Sequence, residues 1–522
     1  MGEGYPAGRG LGAGKKNPGH DVPPAGGGGR DEVRGPAAPG DVRVELRGVA
    51  PVGADQRFGS AGRLFSLWFA AQISPSTFFV GVLGTAGFIG LGWRLGLVAI
   101  VAGNVLGSVT VAVLGVLGTR TGAPQLQQSR FAFGRGVHLP AALTWITQIG
   151  FEALAAIFGA EALTVLLGLN YYLGLLVTFA VMGLISVVGY EAIHLFEKLM
   201  AVLLGVLFAV VTAKTFLQHP AVTATTHGGA AAGGFVLMLA IVFGYAVSWG
   251  PVSSDYSRYL PEGTSGRRIW LASFLGLVLG MSWIEILGFG ASVLVRGVSS
   301  MAAVDAIMGG GALGDVAMVA MFLGTVAILC VEDYSGALAA QAAGVPLVRP
   351  LITVIAAAVA YGAAAWLNTG SLGAKFEDVL LLISYWITPW TAIVLLDWWR
   401  HSRHLAPGRR RRVLAGPFRS LPMGGRQWGA TVGLVAGFFA CIPFSDTATG
   451  SQLAKDFPAL AGYFGGFSSH FLYGGDVAFY TGFVAGGLVY LLWDTLSNSR
   501  PGRRGLITWR RASAGDEQVP GR

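Results

Sequence analysis

Apolar residues run in blocks of about 20, the length a helix needs to cross about 30 Å of hydrocarbon, and polar residues gather in short stretches between them. The blocks are continuous and lack the two-residue alternation of a membrane β-barrel strand, the one other structure that spans a bilayer. The pattern predicts an all-α polytopic membrane protein of about twelve transmembrane helices, near 64–90, 92–118, 139–167, 173–190, 196–217, 233–254, 270–295, 316–342, 350–367, 379–399, 429–445 and 477–494.

Composition agrees. Of 522 residues, 53% are hydrophobic and 12% charged, with a mean hydropathy of +0.60; a soluble domain carries about a quarter charged residues. The first 60 residues differ: 1–40 are rich in Gly, Pro and Arg and cannot bury enough apolar surface to offset their ordering entropy. They lack the apolar stretch of a cleaved signal peptide, so residues 1–60 are expected to form a disordered cytoplasmic tail, as are 496–522. The net charge of +9 invites a nucleic-acid partner, but the basic residues flank the spans. Even-numbered connections hold Arg120, Arg130 and Arg135; Lys198; Arg258, Arg267 and Arg268; Arg349; and Arg400, Arg403, Arg409 to Arg412, Arg419 and Arg426. Odd-numbered connections hold Lys214, Arg296, Lys375 and Lys455 singly. The positive-inside rule then places both termini in the cytoplasm of an inner-membrane protein. The lipid bilayer is the partner this implies, and no nucleic acid is needed.

Two spans carry helix breakers. The first has Gln72, Ser74, Pro75, Ser76 and Thr77 at its middle; the sixth has Trp249, Gly250 and Pro251 followed by Ser253 and Ser254. Proline removes a backbone donor and clashes with the preceding turn. Breaks in corresponding spans of two halves mark the midplane site of inverted-repeat transporters. The spacing predicts two five-helix repeats, about 61–217 and 233–400, forming a transport core over 61–400. A basic cytoplasmic loop at 401–428 and two accessory helices at 429–495 follow.

Ionisable residues at membrane depth are expensive and usually functional. Glu152 and Glu161 lie in the third span, Glu285 in the seventh, Glu332 and Asp333 in the eighth. Each either carries a proton or cation, or is a protonated acid bonded to a neighbouring helix. Among aromatics within spans (Trp68, Phe151, Tyr245, Trp249, Tyr334, Trp386), Phe151 and Trp249 adjoin other polar candidates. Cys330 and Cys441 fall in apolar runs, so neither disulfide nor metal ligation is expected. No phosphate loop, HExxH, histidine cluster or GxSxG elbow is present. The chain is therefore not expected to be an enzyme, nor to hold a metal or cofactor.

Several segments resemble the nucleobase–cation symporter-1 family, the purine–cytosine permeases, over roughly residues 43–400. They are Gly122 to Leu126 with Ser129 to Gly134 after span two; Gly150-Phe151-Glu152; Gly189-Tyr190-Glu191 through His194 and Glu197; Phe243 to Tyr245 and Trp249 to Tyr259 in span six; Tyr334, Ser335 and Gln341; and Tyr385, Trp386, Pro389, Trp390 and Asp397. The resemblance implies a five-plus-five inverted repeat with broken helices one and six plus two extra helices. It also implies import of a nucleobase or related heterocycle driven by H⁺ or Na⁺. The family's stacking aromatic of span three, often Trp, matches Phe151, and its polar residue one turn later matches Ala155, so that hydrogen bond is lost and Glu152 is the candidate replacement. The span-six aromatic matches Ala246, with Tyr245 beside it and Trp249 a turn on. The ion-binding carbonyls of sodium-coupled relatives match Ala71 and Ser74. On span eight Val331-Glu332-Asp333 stands where fungal-type relatives have Val-x-Asn, which favours proton coupling.

The expected substrate contacts are Gln72, Ser76, Phe151, Glu152, Ala155, Tyr245, Ser248, Trp249, Gly250 and Asp333, and the expected coupling-ion contacts are Ala71, Ser74, Glu332 and Asp333. Cytosine, a purine, uracil, allantoin, a hydantoin and a vitamin heterocycle such as pyridoxine or thiamine stay open as substrates. An uncoupled facilitator or channel and a transporter-derived sensor are the rival classes. No protein partner is implied.

Overall fold

A bilayer leaves every backbone amide to be satisfied within its own segment, and the apolar runs fold accordingly as helices. The computed structural model describes residues 50–85, 87–188, 190–295 and 299–498; of 187, 188, 190–195, 197 and 498 only the backbone path is described. Both expected tails (apart from residues 50–60 and 496–498), Gly189 and Arg296 lie outside the described residues, as do the side chains of Tyr190, Glu191, His194 and Glu197.

Span one is two helices, Ala61–Ala71 and Pro75–Leu83; spans two to five are Trp93–Thr121, His138–Leu167, Tyr171–Val188 and Tyr190–Leu217. Span six is Gly228–Val247, continued through a 3₁₀ turn at Gly250–Val252 into Ser253–Ser257. Spans seven to ten are Gly266–Ala291, Gly311–Ala342, Arg349–Leu367 and Leu372–Arg400; eleven and twelve are Gly425–Cys441 and Ala478–Asn498. Among the described residues nine helices are long and apolar enough to cross a membrane, or ten with the bent first pair taken as one. Length and apolarity thus support ten of the twelve expected spans. The described apolar part of the fourth is shorter, Tyr171–Ser186, and Thr, Tyr, Trp and Gly dilute the last.

Two groups of helices arise from how closely backbones can approach. Span two offers Gly103 and Gly107 to span six: a Cβ there would stand 2.8 Å from the Leu239 carbonyl oxygen and 3.0 Å from that of Phe243. Span seven offers Gly276 and Gly280 to span one in the same way, 2.7 Å from the Phe65 carbonyl oxygen and 2.9 Å from that of Phe69. Small residues four apart permit such contacts, which replace a hydrophobic driving force inside lipid. Spans one, two, six and seven form one group; spans three, four, eight and nine form the other, with span three crossing span eight over much of its length. The two glycine seams correspond under exchange of the halves. Ser74 is five residues past Phe69, and Ser248 five past Phe243, so the two breaks stand at matching positions.

The connections are more structured than their polarity predicts. The basic loop contains a helix, Pro407–Ala415. Its buried Val413 and Leu414 pack on Ala123, Phe131 and Leu421. Gln127 and Arg130 donate to the Leu414 carbonyl at 2.6 and 3.2 Å, and Arg130 also to that of Gly416 at 3.0 Å. The connection between spans eleven and twelve holds helices Ala448–Asp456 and Gly466–Phe471. It is tied to span ten: Asp378 accepts from the amides of Ala448 and Thr449 at 2.7 and 2.9 Å, and Tyr385 donates to Asp476.

Candidate functional site

The Ser74-Pro75 step makes the break in span one. Proline at the first helical position loses an amide that would be unpaired there anyway, and serine before it caps the helix. Ser74 Oγ accepts from the Thr77 amide at 3.3 Å, and the halves meet at 62°. Span six changes helix type at the matching place without a comparable bend; Pro251 is the second residue of its 3₁₀ turn. The two predicted breaks are therefore unequal.

A chain of hydroxyls links them. Ser74 Oγ and Thr77 Oγ1 are 2.9 Å apart, and Thr77 Oγ1 lies 2.8 Å from Tyr245 Oη. The Tyr245 ring meets Phe151 of span three edge to face, centroids 6.3 Å apart. Span one's second half, span six and span three are thus joined at one level, with Ala155 buried a turn beyond Phe151. At the break, Gln72 is 0% exposed, and neither its amide nitrogen nor its oxygen has a hydrogen-bond partner. Leaving a buried polar group unbonded costs about 1–3 kcal/mol.

In the group of spans three, four, eight and nine, Glu152 of span three is 0% exposed and neither carboxylate oxygen has a partner. Glu332 and Asp333 of span eight are its charged neighbours, and Gln148 Nε2 reaches the Glu332 carbonyl at 3.5 Å. Asp333 is differently placed: it accepts from Thr353 Oγ1 of span nine at 2.9 Å and has Arg349 as its cationic neighbour. Arg349 also lies over the Tyr334 ring at 4.7 Å. Asp333 is thus engaged with span nine.

Trp249 belongs to another cluster, one turn along span six. Trp68 meets Trp249 edge-on at 5.6 Å and Tyr256 at 5.4 Å, and Tyr256 Oη is 3.5 Å from Ser335 of span eight. These rings bridge the two helix groups between the break and the end of span six. Ser248 spends its hydroxyl on the Tyr245 carbonyl at 2.6 Å, and Gly250 is buried near Leu114, Ile387 and Trp390. Ala71, Ser76 and Glu332 are buried too; every predicted contact is enclosed in this conformation.

The remaining acids have structural partners. Glu285 accepts from Asn104 at 2.6 Å, Glu161 from the Met301 amide and Ser299, and Asp255 from the Gln125 amide at 2.9 Å. Ser253 and Ser254 donate to Gln125 Oε1 at 3.2 and 2.6 Å, so the loop after span two is fastened to the end of span six. Thr77 is the contact the predicted set omitted; its position one turn past Ser74 on a capped helix was the available signal.

A family model for permeases for cytosine/purines, uracil, thiamine, allantoin matches residues 51–464. A putative purine-cytosine permease of Bacillus subtilis, YxlA, is 25% identical over 463 residues, 86% of this chain and 95% of that one. Purine-cytosine permease fcyB of Emericella nidulans is 29% identical over 381 residues, 68% of this chain and 73% of that one. Among solved structures, Mhp1, a nucleobase-cation-symport-1 family transporter closed with bromovinylhydantoin bound, superposes with a TM-score of 0.65 at 17% identity, covering 86% of this chain and 95% of that one.

Proposed function

Since this chain belongs to the nucleobase–cation symporter-1 family, the permeases for cytosine/purines, uracil, thiamine and allantoin, we propose that it imports a nucleobase or related flat heterocycle together with a proton. It is a multi-pass membrane transporter and not an enzyme. The chain sits in the inner membrane with both termini cytoplasmic, the orientation that its basic connections favour. Residues 61–400 are the transport core and 429–495 an accessory pair.

The observation that carries this reading is Gln72. An amide buried at a helix break with donor and acceptor both unbonded is a pair of contacts awaiting a ligand. Side by side, they complement the donor–acceptor edge of a nucleobase. The ring stacks on Phe151, beside Tyr245, and the amide ends of Pro75–Leu83 supply partial positive charge. The Trp68–Trp249–Tyr256 cluster closes the path to the cytoplasm while the site is loaded from outside. Rocking of the group formed by spans one, two, six and seven against the other group then parts these rings and opens the inner path. The proton travels on a carboxyl at the crossing of spans three and eight.

The test is uptake of radiolabelled nucleobases, hydantoins, pyridoxine and thiamine into cells expressing the chain, with Na⁺, without it, and with a protonophore. Accumulation of one heterocycle, insensitive to Na⁺ and abolished by the protonophore, is expected. Accumulation that survives the protonophore and requires Na⁺ refutes the proton; no accumulation of any heterocycle refutes the substrate class.

A further inference from the structure

The buried carboxyls sort by what holds them. Glu161, Glu285 and Asp255 have the partners given above. Asp378 caps the helix at Ala448, Asp397 accepts from Tyr490 at 2.9 Å, Asp476 accepts from the Asp446 and Ala478 amides at 2.9 Å, and Asp494 pairs with Arg400 and His401 at 3.1 and 2.9 Å. Glu152 differs from all of these, because neither of its oxygens is bonded although the side chain is fully enclosed. A buried carboxylate without hydrogen bonds lacks the compensation that a low-dielectric site requires. A carboxyl kept in that setting either holds a proton or meets a partner that comes and goes.

Its neighbours decide which. Glu332 and Asp333 of span eight face it, and like charges at one site cannot all be ionised together. Asp333 accepts from Thr353 and has Arg349 as its cationic neighbour, so it turns to the span-nine side. The second half of span one, Pro75–Leu83, has no titratable residue. On span four, Tyr171 stands beside Glu161 rather than Glu152, and Asp305 belongs to the short helix Ser300–Met308, which also packs there. On span ten, Lys375 is bonded to Trp366 and Thr369 and Tyr385 to Asp476, while Glu377 and Asp378 neighbour Asp446 and Asp476. No cation is therefore available to Glu152 as a fixed counter-charge among these groups.

We propose that Glu152 is the carboxyl that carries the co-transported proton, and that Asp333, bonded to Thr353 beside Arg349, lies outside the proton traffic. A proton from the outer solution adds to a Glu152 oxygen when the site opens outward, giving the neutral acid. It leaves as H⁺ to the cytoplasm when the site opens inward, restoring the carboxylate, so one positive charge crosses per neutral base. The residue next in sequence is Phe151, the proposed ring platform, which places proton and base on the same turn of span three. This inference rests on the import reading and adds the identity of the coupling group.

The experiment uses the full chain, purified and reconstituted into proteoliposomes, with radiolabelled cytosine and hypoxanthine as probes. An inside-alkaline gradient of one pH unit supports up to about tenfold accumulation at one proton per base. Glu152→Gln is expected to lose accumulation and base-dependent acidification of the lumen while base-for-base counterflow continues; Glu161→Gln is expected to keep all three. A second readout needs no substrate: infrared difference spectra against pH should contain a protonated-carboxyl band that Glu152→Gln removes and Asp333→Asn keeps. Loss of both accumulation and band supports the assignment; full accumulation or a retained band in Glu152→Gln overturns it. If the wild type moves neither probe yet its band vanishes in Glu152→Gln, the assignment stands and the nucleobase reading falls. Should Glu152→Gln fail to fold, Glu152→Asp is measured instead: a shifted titration midpoint of the band supports the assignment, and an unchanged midpoint overturns it.

Discussion

Gln72→Met separates a ligand-binding amide from a structural one by the sign of two measurements. Methionine matches the length of glutamine and is unbranched. That matters here because span seven approaches closely: a Cβ at Gly280 would already stand 3.0 Å from Gln72 Cβ and 3.4 Å from Cγ. A branched leucine would crowd this contact. The substitution removes an amide whose two polar atoms are buried and unbonded, and relief of that burden is worth about 1–3 kcal/mol. Ligand-free protein in detergent should therefore survive heating longer than the wild type. Binding should move the other way. Two lost hydrogen bonds at about 0.5–1.5 kcal/mol each weaken base affinity by about 5- to 150-fold. The assays are thermal inactivation without ligand and equilibrium binding of the radiolabelled base. A variant that is less stable and binds as tightly as the wild type would refute the reasoning, because Gln72 would then be bonded within the protein.

Tyr245→Phe removes the 2.8 Å contact to Thr77 and should raise the KM for uptake about 2- to 13-fold, the equivalent of about 0.5–1.5 kcal/mol, with unchanged surface expression. Gly81→Ala places a Cβ 1.8 Å from the Glu285 carbonyl oxygen; strain between two backbones has no rotamer to relieve it, so size-exclusion profiles should lose the monodisperse peak. Arg130→Ala abandons the Leu414 and Gly416 carbonyls, and trypsin should cut the arginine-rich helix Pro407–Ala415 at least tenfold faster, since bonds from a charged group are worth about 1.5–3 kcal/mol each. Asp476 lies outside the spans, and burial pushes its carboxyl up from 3.8 to about 6. The folded state then holds more protons than the unfolded one across that window. Stability is greatest below about 4 and falls as pH rises through about 6, by up to about 3 kcal/mol. Melting curves at pH 4.5 and 7 should differ for the wild type, and the difference should shrink in Asp476→Asn.

Span positions and the location of both breaks were readable because lipid imposes one length and one solution for the backbone, and because proline and glycine act locally. Pro75 names its own bend; the milder passage at Gly250-Pro251 depends on how span six rests on span two, a tertiary matter. The twelfth span fell short for a compositional reason: Gly482, Gly486 and Gly487 serve close approach to spans ten and eleven rather than apolarity, while Tyr480, Phe483 and Trp493 stay exposed. Within the site, Glu152 was legible as an acid at membrane depth. That both of its oxygens are buried without a hydrogen bond, and that Asp333 turns toward Thr353 and Arg349, required knowing which faces of spans eight and nine meet. Gln127 and Arg130 looked like ordinary loop residues; their hold on the Leu414 carbonyl joins segments nearly three hundred residues apart, a distance no local pattern encodes.

The inequality of the two breaks has a geometric meaning. The glycine seams correspond closely, with approaches of 2.7 and 2.9 Å in one half and 2.8 and 3.0 Å in the other, yet span one turns by 62° at Ser74-Pro75 and span six passes its matching step without such a bend. If the two halves traded shapes, the same chain would have a bent span six and a straighter span one, with the cavity turned toward the opposite face of the membrane. The difference between the bends therefore acts as a compass needle: measured by spin labels placed across each break, its sign reports which compartment the site addresses, and a value of zero marks the crossing point between them.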